Sequence, residues 1–124
     1  MANPHLIGPL VRRFLLDEVG IERNLSINTQ RSYRDTLRLL FHFLAERYAV
    51  EPTQVTVEQL TVDVIKHFLI YLEEERGNTI DTRNLRLTAL HSFFRFVYLH
   101  GRMFCQQFRH QAAMIGRQVL NNDK

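Results

Sequence analysis

The chain has 124 residues, of which 45% are hydrophobic and 23% charged, and its formal net charge is +3. This composition fits one small globular domain with its own core and argues against a disordered chain. The single cysteine, Cys105, excludes an internal disulfide and a multi-cysteine zinc site. Because no apolar run approaches the roughly 18 residues that cross a bilayer and no signal peptide is evident, we expect a cytoplasmic protein without a membrane partner.

The positive charge is carried almost entirely by arginine, since Lys66 and Lys124 are the only lysines. Acidic residues concentrate between positions 49 and 75, and the flanking segments hold the arginines. Arginine binds phosphate through a bidentate fork of N–H donors. A chain of small net charge can therefore carry one strongly basic surface.

Apolar residues at helical spacing predict a first helix over 8–19, ended by Gly20. Ser26 to Thr29 offers caps for a second helix, and Asn28 or Thr29 could satisfy its free N–H groups. This helix is predicted to run to about Tyr48. Leu39 and Phe43 fall outside the main apolar stripe of the second helix, which suggests packing on two sides. The predicted core residues of the two helices are Leu6, Leu10, Val11, Phe14, Leu15, Tyr33, Leu37, Leu40, Phe41 and Leu44.

One flank of the second helix carries three arginines, Arg31, Arg34 and Arg38, at positions i, i+3 and i+7. Asp35 is the one acidic residue close to them. The pattern is compatible with a solvated face that holds an ion pair to Asp35, and equally with a surface that binds a polyanion.

Residues 51–60 resemble a connecting loop, after which Thr61 is expected to cap a third helix running to Arg76. The end of this helix carries Glu73 to Glu75, where the helix dipole disfavours negative charge, and the sequence gives no folding reason for them. The predicted core residues are Val64, Ile65, Phe68, Leu69 and Leu72.

A fourth helix is predicted from a cap at Thr79 or Asp81 to His100, and it has two contrasting sides. Its polar side lacks the Glu and Lys residues that usually cover a solvent face. The expected core side holds Leu85, Ala89, Phe93, Phe96 and Val97, and the polar side holds Asn84, Thr88, His91 and Arg95. A last amphipathic segment follows Gly101, with Phe104, Phe108, Ala112, Ile115 and Val119 at steps of about four residues. These elements predict an all-α bundle of four or five helices.

Patterns that would indicate catalysis are missing from the sequence. The histidines show no HxxxH or HExxH spacing, the glycines form no phosphate-binding loop, and Cys105 has no surroundings of a catalytic thiol. We predict no catalytic residue, no metal site, no cofactor and no small-molecule substrate. The arginines and amides of the second and fourth helices instead suit phosphates and base edges of double-stranded DNA.

Three stretches together resemble a known family: LSINTQRSYRDTLRLLFHFLAER, LTVDVIKHFLIYLEEE and TIDTRNLRLTALHSFFRFVYLHG. Their order and spacing over 10–101 are similar to the N-terminal core-binding (SAM-like) domain of tyrosine recombinases, the phage-integrase family. The resemblance implies a four-helix bundle that forms one arm of a clamp around a recombination site. It implies a core-binding bundle over 1–101, and a C-terminal helix or connector over 102–124 that would lead toward a catalytic domain.

The resemblance also implies DNA contacts. It carries over Asn28, Thr29 and Arg86 directly, whereas Tyr33 matches a family position but is expected to pack in the core. The other predicted contacts are chosen by helix face: Arg31, Arg34, Arg38, Thr82, Arg83, Asn84, His91 and Arg95.

The sequence departs from the family at its end. The chain stops at Lys124, before the expected catalytic domain, and none of its tyrosines lies in a context like that of the family's nucleophile. We therefore expect a DNA-binding domain without enzymatic activity of its own. The alternative is a helical protein-interaction module that self-associates through its last amphipathic segment.

Overall fold

A computed structural model describes residues 6–100 of the chain, and this part is helical. The short helix α1 continues directly into a π-helical segment, and two 3₁₀ turns lie between α2 and α3. The bounds are α1 (Gly8–Arg13), the π-helical segment (Phe14–Glu22), α2 (Ile27–Tyr48), the 3₁₀ turns (Pro52–Gln54 and Val57–Gln59), α3 (Val62–Glu74) and α4 (Ile80–His100). The prediction of an all-α fold is confirmed. The predicted last segment, 102–124, lies outside the described residues.

Strand structure in residues 6–100 is limited to one isolated antiparallel bridge between Leu6 and Thr56. The N–H of Ile7 donates to the carbonyl of Val55 over 2.9 Å, so the start of α1 is held against the α2–α3 connection. No helix in the described part has both the length and the apolar character that a membrane span needs.

Phe14 lies at the centre of the core, with 0% of its surface exposed. Its ring stacks on Tyr33 of α2 at 6.0 Å between centroids, and it meets Phe93 at 5.3 Å and Phe96 at 5.5 Å on α4. One side chain from the π-helical segment therefore joins both long helices. Tyr33 is buried, as expected, and its hydroxyl lies 3.3 Å from Ser92 Oγ.

The apolar spacing predicted most of the buried residues on α2 and α3. Leu37, Leu40 and Leu44 are buried on α2, and Phe43 forms the second packing side that was expected. Its ring contacts Phe68 and Tyr71 of α3. Burial of each such side chain contributes about 1.5–3 kcal/mol relative to exposure. On α3 the buried residues are Ile65, Phe68, Leu69, Tyr71 and Leu72.

The prediction that Leu85 belongs to the core is wrong, because 59% of its surface is exposed. The buried side of α4 is broader than the predicted stripe, and at 100° per residue Leu85 falls at its edge. The side chains that α4 buries are Leu87, Ala89, Leu90, Phe93, Phe94, Phe96 and Val97.

The predicted end of the first helix at Gly20 is also wrong. The N–H of Arg23 donates to the carbonyl of Glu18 over 2.9 Å, an i to i+5 bond that carries the π-helical geometry past Gly20. The left-handed residue at the exit is Asn24, with φ of 46°. Asparagine tolerates this conformation better than most residues, so Asn24 performs the role that was expected of the glycine.

Two of the three capping predictions are confirmed. The N–H of Val64 donates to Thr61 Oγ1 over 3.2 Å, and the N–H of Thr82 donates to Thr79 Oγ1 over the same distance. The cap of α2 is Ser26, not Asn28 or Thr29, because its Oγ accepts the N–H of Thr29. A serine three residues before a free N–H has the geometry that this bond requires.

The structure supplies the folding reason for the acidic end of α3, which stops at Glu74, two residues before the predicted Arg76. Glu73 Oε1 lies 2.5 Å from Arg83 Nε of α4, and Glu75 pairs with Arg47 of α2. Arg47 also lies over the rings of Phe43 and Tyr71. Attraction to neighbouring arginines offsets the unfavourable helix dipole.

Candidate nucleic-acid interface

The arginines predicted on α2 are exposed. Arg34 Nε lies 3.9 Å from Asp35 Oδ1, which is the ion pair that the sequence suggested, at the long end of the range. Within residues 6–100, Arg31 and Arg38 have no carboxylate at ion-pairing distance. Their guanidinium groups therefore keep their N–H donors available to a ligand.

The first turn of α2 adds polar groups beside this row. Asn28 is exposed, whereas Thr29 is half-buried and its Oγ1 accepts the hydroxyl of Ser26 over 2.9 Å. The N–H groups at the start of a helix carry partial positive charge, which favours an anion nearby.

The polar side of α4 forms one wall of an open groove of about 620 Å³. The π-helical segment and Arg23 form the opposite wall. Among the residues that line it, Glu18 is the single acidic one, so the groove is basic on balance. The lining residues are Glu18, Arg23, Thr88, His91, Ser92, Arg95, Phe96 and Leu99. We call this site the polar groove.

Arg23 was missed by the sequence reasoning, which placed it in a connection without assigning it a role. The π-helical segment brings it opposite His91 and Arg95, more than 60 positions later in the sequence. Both Arg23 and Arg95 are exposed and have no carboxylate at ion-pairing distance in the described residues. The one local sequence signal for Arg23 was that it shortly precedes the start of α2.

Arg86, which the resemblance carried over as a DNA contact, reaches into the protein. Its Nη1 donates to the carbonyl of Ser32 over 3.3 Å and to Thr36 Oγ1 over 3.1 Å. Thr36 is fully buried, and its hydroxyl donates to the same Ser32 carbonyl over 2.8 Å. Arg86 thus ties α4 to α2. These hydrogen bonds do not test the prediction that it contacts DNA, and we propose that it positions α4 instead.

Arg83 is similarly engaged, because only 14% of its side chain is exposed and it pairs with Glu73. Thr82 Oγ1 accepts the hydroxyl of Thr79 over 3.1 Å. Asn84 is exposed, and its carbonyl accepts the hydroxyl of Thr88 over 3.0 Å. The predicted α4 residues therefore separate into an inward pair, Arg83 and Arg86, and an outward group that includes Asn84, His91 and Arg95.

Metal chemistry has no visible support in the described residues. Within 6–100, no three His, Cys, Asp or Glu side chains come together in a way that could hold a metal ion. Cys105 and His110 lie outside this range, and the prediction of no metal site stays a prediction.

Comparison with known proteins points to one family. The model of "Phage integrase, N-terminal SAM-like domain" matches residues 12–101. The chain is 42% identical over 97 residues to "Putative integrase/recombinase y4rD" of Sinorhizobium fredii, an alignment covering 78% of this chain and 34% of that protein. It is 40% identical over 90 residues to "Putative integrase/recombinase y4rC" of the same organism, covering 73% of this chain and 27% of that protein.

The chain thus spans about a third of the length of these relatives. No solved structure matches the chain significantly. The family model covers the π-helical segment, α2, α3 and α4 completely, and so includes both walls of the polar groove. The chain belongs to the phage-integrase family, to which it is matched through the N-terminal SAM-like domain.

Proposed function

We propose that this domain binds duplex DNA through the polar groove and the start of α2. The observation that carries the proposal is the polar groove itself, in which Arg23, His91 and Arg95 line one concave surface. The exposed Asn28 and Arg31 follow within a few residues of Arg23 along the chain. These residues form a basic site whose arginines have no carboxylate at ion-pairing distance within residues 6–100.

The chemistry of these residues favours a phosphate backbone. A guanidinium group offers two parallel N–H donors to phosphate, and each phosphate that it neutralises releases condensed counterions. Arginine is charged at any physiological pH, so the attraction depends on salt and not on protonation. Thr88, Ser92 and His91 add donors and acceptors of the kinds that reach base edges.

The inward arginines contribute differently to this proposal. Arg86 and Arg83 fix the position of α4 against α2 and α3, and so they set the geometry of the groove wall. Arg34 and Arg38 belong to the same row as Arg31, but they border a second groove whose role is considered below.

The names of the relatives suggest the wider process. They are described as integrases or recombinases, and we propose that this domain holds DNA for such a reaction while catalytic groups outside the matched region break and rejoin the strands. The domain would then act inside the cell as a DNA-binding domain without catalytic residues of its own. The alternative, self-association through 102–124, concerns residues outside the described range.

The proposal is tested by fluorescence anisotropy with a labelled random-sequence duplex of about 20 base pairs over a salt series. If Arg23, Arg31 and Arg95 each contact one phosphate, the logarithm of the association constant K should fall against log[salt] with a slope of about −3. Each phosphate contact contributes about −0.9 to this slope. The double change Arg23→Ala and Arg95→Ala should reduce the slope by about two.

Arg76→Ala is the control, because Arg76 is exposed, follows the acidic end of α3 in the sequence and is not among the groove-lining residues. This control should bind as the unchanged chain does. An absence of binding at low salt would refute the proposal, and equal slopes for all three proteins would refute the assigned site.

A further inference from the structure

A second groove lies between α1 and α2 and differs from the polar groove in chemistry. Its volume is about 380 Å³, and its floor is apolar. Leu37 is buried at its base, while Val11, Leu15 and Phe41 are partly buried. The lining residues are Val11, Leu15, Arg34, Leu37, Arg38, Phe41, His42, Ala45 and Pro52. We call this site the apolar groove.

The rim of the apolar groove is basic. Arg38 has no carboxylate at ion-pairing distance within residues 6–100, and Arg34 has only the long contact to Asp35. His42 lies 3.1 Å from Glu46 and is already partnered. An occupant of this groove should therefore combine an apolar side chain with a carboxylate that reaches Arg38.

The outward side of α3 presents that combination. Asp63, His67, Ile70 and Glu74 follow each other at i, i+4, i+7 and i+11, opposite the buried Ile65. Ile70 is 49% exposed, although it is an aliphatic side chain in the middle of a helix. Glu74 is exposed and has no arginine or lysine partner in the described residues, unlike Glu73 and Glu75 on either side.

We propose that the apolar groove of one copy of this chain receives α3 of a second copy. Ile70 inserts between Val11, Leu15 and Phe41, and Glu74 pairs with Arg38 on the rim. The two surfaces lie on different helices of each copy, so the contact is heterologous and joins copies head to tail. We expect a contact formed by one groove and one side of one helix to be a weak association.

Charge complementarity separates this occupant from the other candidates. The segment 102–124 carries Arg102, Arg109 and Arg117, and its one acid is Asp123, so it would bring positive charge to a basic rim. A DNA backbone would satisfy Arg34 and Arg38 but would leave the apolar floor exposed to water. The outward side of α3 of a second copy offers Ile70 to the apolar floor and Glu74 to the basic rim.

The experiment is sedimentation equilibrium of the full chain without DNA at low salt, over a range of protein concentrations. Arg38→Glu and Glu74→Arg should each weaken self-association about fivefold or more, because each places like charges on the rim. The two changes combined should restore association to near that of the unchanged chain, since the pair is then reversed. Both side chains are exposed, and circular dichroism verifies that each variant folds.

Asp17→Arg is the matched control for Glu74→Arg, because it makes the same change in net charge at an exposed acid of the π-helical segment. It should associate as the unchanged chain does. A chain that is monomeric throughout, association that is indifferent to both reversals, or a double variant no better than the single ones would each overturn the proposal. Because no DNA is present, these results are independent of the proposed DNA binding.

Discussion

Two arginines of α4 show how one helix serves both the fold and a candidate ligand surface. Arg86 donates to Ser32 and Thr36 inside the bundle, whereas Arg95 lies in the open polar groove. They are nine residues apart, and at 100° per residue nine steps amount to two and a half turns. They consequently point to opposite sides of the same helix.

The number of arginines in the chain therefore does not indicate how many of them are available on a basic surface. Arg83 and Arg86 are used to hold helices together, and an exposed group that includes Arg23, Arg31 and Arg95 remains for an anionic partner. The net charge of +3 understates this surface, because acidic side chains such as Glu73 and Glu75 already pair with other arginines. The following changes test this division between inward and outward residues.

The largest effect is expected from Phe14→Ala, which removes the ring that contacts both α2 and α4. Loss of a fully buried phenylalanine should lower the free energy of unfolding by about 3–5 kcal/mol, measured by urea denaturation. Leu16→Ala is the control, because Leu16 is exposed in the same π-helical segment, and it should change stability by less than about 0.5 kcal/mol. Similar losses in both variants would contradict the assignment of Phe14 to the centre of the core.

A smaller effect separates the two arginines themselves. Arg86→Ala leaves the buried Thr36 hydroxyl and the Ser32 carbonyl without a donor from α4, and should cost about 1–3 kcal/mol of stability. Arg95→Ala removes an exposed side chain that has no ion pair within residues 6–100, and it should be neutral within about 0.5 kcal/mol. Thermal and urea unfolding of the two variants measure the difference in stability. Equal stability of the two variants would contradict the distinction between an inward Arg86 and an outward Arg95.

The smallest effect concerns adjacent glutamates of α3. Glu73→Gln weakens the pair with the largely buried Arg83 and should cost about 0.5–1 kcal/mol, because that partner is shielded from solvent more than a typical surface pair. Glu74→Gln should leave stability unchanged in dilute solution, since Glu74 has no arginine or lysine partner in the part of the chain that the structure describes. Urea denaturation of both variants at one salt concentration measures the effect. A larger loss of stability for Glu74→Gln than for Glu73→Gln would contradict the assignment of the stabilising ion pair to Glu73.

Helix positions and most of the core followed from the sequence because both depend on local periodicity. The spacing of Ile65, Phe68, Leu69 and Leu72 places all four side chains on the same side of a helix. Thr61 caps this helix through the N–H of Val64, which is only three residues away. The prediction for Leu85 was wrong because this residue lies at the edge of the buried side of α4, and periodicity alone does not give the position of that edge. The prediction for Gly20 was wrong because the helix continues past this residue with π-helical hydrogen bonds, which no short sequence pattern indicates.

The candidate site was less accessible to sequence reasoning for a related reason. Arg86 meets Thr36 across 50 positions and Arg83 meets Glu73 across a helix connection, so their partners depend on the tertiary arrangement. Arg23 likewise belongs to the site because the fold places it near His91 and Arg95, and no sequence motif marks it. The resemblance to the phage-integrase family predicted the kind of surface, and the structure divides its arginines between two roles.

The central claim is tested most directly by the salt dependence of duplex DNA binding in Arg95→Ala and Arg86→Ala, with the folded fraction of each verified. We expect Arg95→Ala to make the slope of log K against log[salt] shallower by about one, and Arg86→Ala to leave the slope unchanged. A shallower slope for Arg86→Ala together with an unchanged slope for Arg95→Ala would contradict the account.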